Sequence, residues 1–189
     1  MSVLPEPPGG RPGGPEVDHT LTPLGVREAD ELYGAMTRSS SFLRPWVIPP
    51  ASLEEARAML AQEPDVRIAY GVRTPSGDLA AVLNLTSIIR GPFQNCFLSY
   101  YALVPHEARG YVRAGLLDVL ELAFTQHSLH RVEVSVQPAN ERSARLVQGV
   151  GFRFEGRSPR YLFIDGAWRD HDRYALTVED WRISHRRPG

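Results

Sequence analysis

Residues 99–152 place a strand, a glycine-containing turn, a helix and a second strand in immediate succession. Apolar side chains recur at helical spacing between Val112 and Phe124, so a helix is predicted over about residues 109–128. The following segment, HRVEVSV, alternates and predicts a strand over residues 131–136. A strand–helix–strand unit of this length joins parallel strands by a right-handed crossover, which indicates an α/β fold.

The rest of the chain predicts mostly antiparallel elements around that unit. Weak alternation predicts a strand over residues 17–24, and a helix is predicted over residues 27–38. Ser52 and Glu55 form a capping box that predicts a helix from there to about residue 62. Turn sequences at residues 75–78 and 165–166 predict two β-hairpins. Their strands are predicted over residues 67–74 and 79–89, and over residues 153–163 and 168–177, with a further strand over residues 95–104.

After the parallel strand, Asn140 predicts the cap of a helix that ends near Gly149. The sum is an α/β domain whose central sheet is mixed, mostly antiparallel and flanked by helices. We expect a single domain over residues 17–182, a flexible leader rich in proline and glycine over residues 1–16, and a short tail over residues 183–189.

Composition narrows the classes of function. A formal net charge of −1 gives no global field that attracts nucleic acid or membrane, and no signal peptide or membrane-spanning run is visible. Cys96 is the only cysteine, so an intramolecular disulfide is impossible and a cytoplasmic location is expected. The histidines have no metal-ligand spacing with cysteine or carboxylate, and we expect no metal cofactor.

The start of the helix after the glycine turn is unusually cationic. Its first turn holds Arg109 and Arg113 around Gly110 and no acid, although the N-terminus of a helix favours negative charge. A bound phosphate or pyrophosphate supplies that charge in one interpretation. In the other interpretation, the helix start is exposed and both arginines extend into water.

The segment between the first two helices, residues 42–50, is apolar and interrupted by prolines. Phe42 and Trp46 look exposed, and the prolines prevent a continuous helix. The segment either forms a rigid wall of a cleft or is a connector whose aromatic side chains pack on the core.

Several motifs in one order resemble a known family. They are the tyrosine pair Tyr100–Tyr101, the turn ARGYV, HRVEVSV, PANERSARLV, GFRFEG and DGAWRDHDRYAL, with LRPW nearer the start. Together they resemble the GNAT superfamily of N-acetyltransferases, and within it the ribosomal-protein (Rim-type) branch. The likeness covers roughly residues 18–181.

The resemblance implies a fold in which two strands splay apart and hold acetyl-CoA. It implies that backbone groups of Leu103 and Val104 pair with the pantetheine arm, and that Asn140 and Ser143 approach the arm and its sulfur. It also implies that the phosphates bind to the turn formed by Ala108, Arg109, Gly110, Tyr111, Val112 and Arg113. Glu107, Ala108 and Val112 depart from the family's usual turn, but any non-proline residue still supplies an N–H donor.

Two residues are the main candidates for catalysis. Ser143 resembles the family's serine near the cofactor sulfur, where a hydroxyl can protonate the leaving thiolate. Glu133 is a candidate general base, although alternation along its strand also allows it to lie on the sheet surface. The tyrosine hydroxyls of Tyr100, Tyr101 and Tyr174 are further candidates near the cleft.

The resemblance therefore implies an acetyl-CoA-dependent N-acetyltransferase, and we expect direct attack of an amine without a covalent intermediate. The acceptor is a protein N-terminus of the ribosomal type or a small amine or peptide, and a homodimer is compatible with the chain. The alternative is a non-catalytic acyl-CoA-binding or regulatory module whose motif has eroded.

Overall fold

The computed structural model describes residues 17–184. The proposed leader (1–16) and most of the proposed tail (183–189) lie outside the described residues. The strands are β1 (Thr20–Leu24), β2 (Arg67–Arg73), β3 (Leu79–Ile89), β4 (Asn95–Ala102), β5 (Arg131–Val136), β6 (Arg153–Ile164) and β7 (Ala167–Thr177). The helices are α1 (Ala29–Arg38), α2 (Ser40–Leu43), α3 (Leu53–Leu60), α4 (Tyr111–Thr125), α5 (Glu141–Val150) and α6 (Val178–Ser184).

The seven strands form one sheet in the order β1-β2-β3-β4-β5-β7-β6. Every neighbouring pair is antiparallel except β4 and β5, which are parallel and are joined by α4. The predicted mixed, mostly antiparallel sheet and its single crossover are therefore confirmed. Within residues 17–184, no helix combines the length and the apolar content needed to cross a bilayer.

Two apolar cores lie on opposite faces of this sheet. On one face, α4 and α5 cover apolar side chains of β2 to β5 and β7, such as Leu83, Val134 and Leu176. On the other face, α1 and α2 cover a second core that includes Leu32, Met36 and Tyr101. Because successive side chains of a strand point to opposite faces, β4 contributes Tyr100 to the first face and Tyr101 to the second.

Local capping fixes the helix starts. The side chain of Ser52 accepts a hydrogen bond from the backbone N–H of Glu55 at 3.1 Å, and that of Asn140 accepts one from the N–H of Ser143, also at 3.1 Å. Both predicted caps are confirmed. A one-turn helix, α2, interrupts the predicted loop and ends at Leu43. The next residue, Arg44, has an extended backbone because a proline follows. The C-terminal helix α6 was outside the predicted elements.

β4 and β5 separate after a short paired stretch. Parallel pairing joins only Asn95–Phe97 of β4 to Arg131–Glu133 of β5, although both strands continue beyond it. The predicted splayed strand pair is thus present. It opens a gap in the middle of the sheet, and the starts of α4 and α5 lie beside that gap.

Candidate active site

A cleft of about 370 Å³ opens at the splayed strands. A smaller cavity of about 120 Å³ lies between the separated strands and shares Trp46, Val47, Tyr100, Asn140 and Ser143 with it. The remaining lining of the cleft is Phe42, Leu43, Tyr101, Ala102, Val112, Ala139, Glu141, Arg142 and Leu146. The remaining lining of the cavity is Leu98, Ser99, Val134, Ser135, Val136, Gln137 and His171.

The backbone groups of β4 that face the gap differ from those predicted. The N–H of Leu103 donates to Ala80 at 2.9 Å, its carbonyl accepts from His106 at 2.8 Å, and the N–H of Val104 donates to Ser39 Oγ at 3.1 Å. The prediction that Leu103 and Val104 pair with an extended ligand is therefore wrong for these groups. Antiparallel pairing alternates in direction, so the backbone groups of Tyr100 and Ala102 face the gap instead.

The turn before α4 is exposed over residues 108–110 and has a left-handed backbone at two of these positions. Ala108 has φ of +62° and Gly110 has φ of +92°, so the chain leaves the helical region just before Tyr111. A Cβ atom on Gly110 would lie 2.8 Å from Val17 Cγ2, which restricts this position to glycine. The first turn of α4 contains no acid, and Val112 lines the cleft.

Glu107, which precedes this turn, departs from the resembled family in charge. Its Oε2 atom is buried and has no hydrogen-bond partner among residues 17–184. Arg109 is exposed two residues later. The turn therefore combines a helix N-terminus and an exposed cation with one carboxylate oxygen that no described donor satisfies.

Ser143 and Tyr100 form a hydroxyl pair in the wall of the cleft. The Tyr100 hydroxyl lies 2.6 Å from Ser143 Oγ, and both residues line the cleft and the cavity. Burial raises the pKa of Tyr100 to about 12, and the hydrogen bond to Ser143 only partly opposes that shift. The phenol is therefore protonated at neutral pH, and the pair presents an O–H donor to the cleft.

Glu133 lies outside the walls of the cleft and the cavity. The residue is 7% exposed, and its carboxylate accepts a hydrogen bond from Arg131 Nε at 3.1 Å. Arg131 also pairs with Glu155, and hydrogen bonding from that guanidinium lowers the pKa of the Glu155 carboxyl. Glu133 sits at the last paired position of β4 and β5, so the geometry gives it a structural ion pair and does not support the predicted role as general base.

The loop after α1 forms one wall of the cleft. Phe42, Trp46 and Val47 line it, and Phe42 is 38% exposed. Leu43 is buried in the second core and anchors the segment. The structure supports an apolar wall, with Leu43 and Val47 also packed on the second core.

One polar residue of the cavity, His171, has no role predicted from the sequence, where the histidines show only that they lack metal-ligand spacing. His171 is 2% exposed and faces the cavity from β7. Alternation in RDHDRYAL places His171 on the opposite face of the strand from Asp170 and Asp172. The sequence does not show which residues pack over that face. Within residues 17–184, no group of three His, Cys, Asp or Glu side chains is arranged to hold a metal ion.

The sheet is mixed and has one splayed parallel pair, with a helix start at the gap and a cleft through the sheet. These features define the acetyltransferase class that the sequence motifs resemble. The family model described as "Acetyltransferase (GNAT) domain" matches residues 19–153. The chain belongs to the GNAT acetyltransferase family, and it is an acyltransferase.

Named relatives agree with this assignment. The chain is 30% identical over 170 residues to a probable N-acetyltransferase, YjcK, of Bacillus subtilis, covering 85% of this chain and 94% of the relative. It is 30% identical over 166 residues to the [ribosomal protein uS5]-alanine N-acetyltransferase of Escherichia coli, covering 82% and 85%. The structure of Mycobacterium smegmatis RimJ in complex with CoA-disulfide superposes with a TM-score of 0.73 at 26% identity, covering 86% of this chain and 83% of that one.

Proposed function

We propose that this enzyme transfers an acetyl group from acetyl-CoA to the α-amino group of a polypeptide. The observation that carries the acceptor assignment is the apolar wall of the cleft formed by Phe42, Leu43, Trp46 and Val47. Family membership supports the acetyl transfer, and the names of the relatives support an amine as the acceptor.

Acetyl-CoA is proposed to enter along the gap between β4 and β5. Its phosphates then lie at the turn formed by residues 108–113, where backbone N–H groups and the partial positive charge of α4 stabilise an anion. The exposed Arg109 adds a further positive charge. The pantetheine arm runs past the unpaired edge of β4, where the backbone of Tyr100 and Ala102 offers hydrogen bonds as an added strand does. Asn140 caps α5 beside this path.

The proposed chemistry is direct attack of a neutral amine on the thioester carbonyl carbon. The carbon–nitrogen bond forms, the carbon–sulfur bond breaks and the sulfur leaves as a thiolate. Ser143 Oγ–H donates to that sulfur while Tyr100 O–H donates to Ser143 Oγ, so the pair stabilises the negative charge and delivers the proton. Positioning of the two substrates in one cleft supplies the remainder of the rate enhancement.

The charge of the cleft favours a polypeptide over a polyamine. Among the described residues that line the cleft and the cavity, Glu141 is the one carboxylate, and it is paired with Arg145 at 3.1 Å. A polyamine carries several protonated nitrogens that need carboxylate partners to leave water. A polypeptide N-terminus places a single amine in the cleft, followed by a chain that packs on apolar side chains.

The acceptor class is tested by the rate of thiol release from acetyl-CoA with a panel of amines. We expect a peptide that begins with alanine to give a kcat/KM at least about tenfold above that of spermidine, a difference of about 1.4 kcal/mol in transition-state binding. A peptide with a blocked N-terminus and no lysine is the control. A higher kcat/KM for spermidine would overturn the polypeptide assignment.

Arg109→Glu is expected to weaken acetyl-CoA binding by about tenfold, because charge-assisted hydrogen bonds to an anion contribute about 1.5–3 kcal/mol. The salt dependence of the remaining affinity should also fall. Titration calorimetry at two salt concentrations measures both effects. Arg182→Glu, on exposed α6, makes the same change in net charge away from the turn and should bind normally. Equal affinities of the two variants would place the phosphates elsewhere.

Trp46→Ala is expected to raise the KM of an alanine-starting peptide by about tenfold while the Kd of acetyl-CoA changes by less than about threefold. The indole is part of the apolar wall, and removing an aromatic side chain from such a wall loses a large contact area. Trp168→Ala, which removes a tryptophan that is 60% exposed on β7, is the matched control. A parallel fall in melting temperature and both affinities would show that Trp46 is scaffold.

A further inference from the structure

We propose that His171 is the general base of the reaction and accepts the proton of the attacking amine at Nε2. This inference rests on the proposed acetyl transfer to an amine and adds the group that the sequence does not identify. It is carried by where β7 places the side chain, by the hydrogen bond of its other ring nitrogen, and by the residues around it.

The ring lies on the face of the sheet from which the acceptor enters. Ser135 of β5 is directly opposite Arg173 of β7, so both point to one face, and His171 is two residues from Arg173 on that same face. Tyr174 and Leu176 point to the other face, into the core beneath α4 and α5. Trp46 and Val47, from the apolar wall of the cleft, line the same cavity as His171. The histidine therefore lies on the acceptor side of the gap.

The hydroxyl pair lies across the gap from it. Ser143 is in the first turn of α5, on the opposite face, and its partner Tyr100 packs against that same core. Both also line the 120 Å³ cavity that His171 lines. A thioester in the splay thus has an O–H donor on the side of its sulfur and an imidazole on the side of the amine, as acyl transfer requires.

The hydrogen bond of Nδ1 fixes the tautomer of a neutral His171. Nδ1 lies 3.0 Å from the carbonyl oxygen of Arg169, and a carbonyl only accepts, so Nδ1 carries the hydrogen. Nε2 then carries the lone pair, and it forms no hydrogen bond within residues 17–184. The ring is also held by Tyr161, whose centroid is 5.8 Å away. An oriented imidazole with a free Nε2 lone pair is the arrangement of a base that awaits its substrate.

Among the residues that line the cavity, no other side chain competes with His171 as a base. The residues that line the cavity include no aspartate or glutamate, and His171 supplies the one basic nitrogen among them. Asp172 points to the opposite face and is held by Arg157 at 2.7 Å, and Asp170 accepts the backbone N–H of Arg160 at 2.8 Å. By alternation along β7, Arg169 and Arg173 lie on its own face, and Arg169 Nε donates to the Ile164 carbonyl at 3.4 Å. The more distant Glu133 is held by Arg131.

These groups account for every proton that moves in the reaction. As the carbon–nitrogen bond forms, the amine nitrogen becomes cationic and gives one proton to Nε2 of His171. As the carbon–sulfur bond breaks, the thiolate takes one proton through the Ser143–Tyr100 pair. His171 returns its proton to water and the hydroxyl pair regains one, so the products are an amide and free CoA thiol.

The test compares two variants that treat the ring differently. His171→Asn keeps an N–H that reaches the Arg169 carbonyl but has no basic nitrogen. We expect its kcat to fall by about 10²-fold or more, with the Kd of acetyl-CoA and the melting temperature close to those of the wild type. His171→Ala leaves a space of the size of an imidazole, so added imidazole should restore a saturable part of its rate. The same imidazole should restore nothing in His171→Asn, where the space is filled.

His130→Gln, at an exposed histidine that pairs with Glu179, is the control and should retain wild-type kinetics. If the wild type is active and His171→Asn has an unchanged kcat, the base assignment is overturned and the proposed function stands. Failure of imidazole to restore His171→Ala, with matching losses of stability and acetyl-CoA affinity in both variants, would make His171 a structural residue. A wild type that binds acetyl-CoA but acetylates no amine would overturn the proposed function and this inference with it.

Discussion

Ser143→Ala is expected to lower kcat by about 10²-fold while the Kd of acetyl-CoA changes by less than about threefold. The reason is that Ser143 Oγ, held 2.6 Å from the Tyr100 hydroxyl, is proposed to donate to the sulfur only as it becomes a thiolate. An interaction present in the transition state alone affects kcat and kcat/KM equally and leaves ground-state binding intact.

Tyr100→Phe should give a similar loss, since burial keeps the Tyr100 phenol protonated and its pKa at about 12. The double variant is expected to lose little more than either single variant, because the two hydroxyls act as one unit. Thr125→Ala, in the exposed last turn of α4, removes a hydroxyl remote from the cleft and is the control. A loss of acetyl-CoA affinity with kcat retained would reduce Ser143 to a cofactor contact.

Two helical glycines are expected to respond to alanine with opposite signs. A Cβ atom on Gly115 of α4 would lie 2.4 Å from Val72 Cγ2 and 2.8 Å from Leu83 Cδ1, so Gly115→Ala forces the helix away from β2 and β3. Overpacking of this kind costs about 1–3 kcal/mol. A Cβ atom on Gly149 of α5 meets nothing within 4 Å, and Gly149→Ala should stabilise the protein by about 0.5–1 kcal/mol.

Urea unfolding of the two variants and the wild type measures both free energies. Gly115→Ala should also weaken acetyl-CoA binding, because a shift of α4 moves the turn at its N-terminus. The account of α4 packing would be contradicted if Gly115→Ala were as stable as the wild type. The expected stabilisation of Gly149→Ala separates crowding at Gly115 from a general effect of helical glycine.

The sequence predicts those parts of the site that depend on neighbours in the chain. The cap at Asn140, the turn around Gly110 and the crossover through α4 follow from local spacing, and the structure confirms each of them. The gap between β4 and β5 was expected only from the family resemblance. The structure shows this gap, since the parallel pairing of β4 and β5 ends at Phe97 and Glu133.

Other parts depend on contacts between distant elements. Whether Leu103 or Ala102 faces the gap is decided by the register of β4 against β3, which local alternation does not fix. Arg131 pairs with Glu133, and this contact does not support the predicted role of Glu133 as a base. Arg131 is itself positioned by Glu155 of β6. His171 becomes a candidate only once Tyr161 and the wall at Trp46 enclose it.

The most direct test of the central claim is to locate the acetyl group on a peptide that offers two amines. The substrate is a peptide that begins with alanine, has a free N-terminus and contains one lysine, incubated with enzyme and acetyl-CoA near pH 7. An α-amine has a pKa of about 7.7–8.0 and a lysine amine about 10.4, so the neutral fraction of the α-amine is larger by roughly a few hundredfold near pH 7. Fragmentation mass spectrometry should find the acetyl group on the N-terminal nitrogen. Acetylation confined to the lysine, or no acetylation at all, would contradict the account.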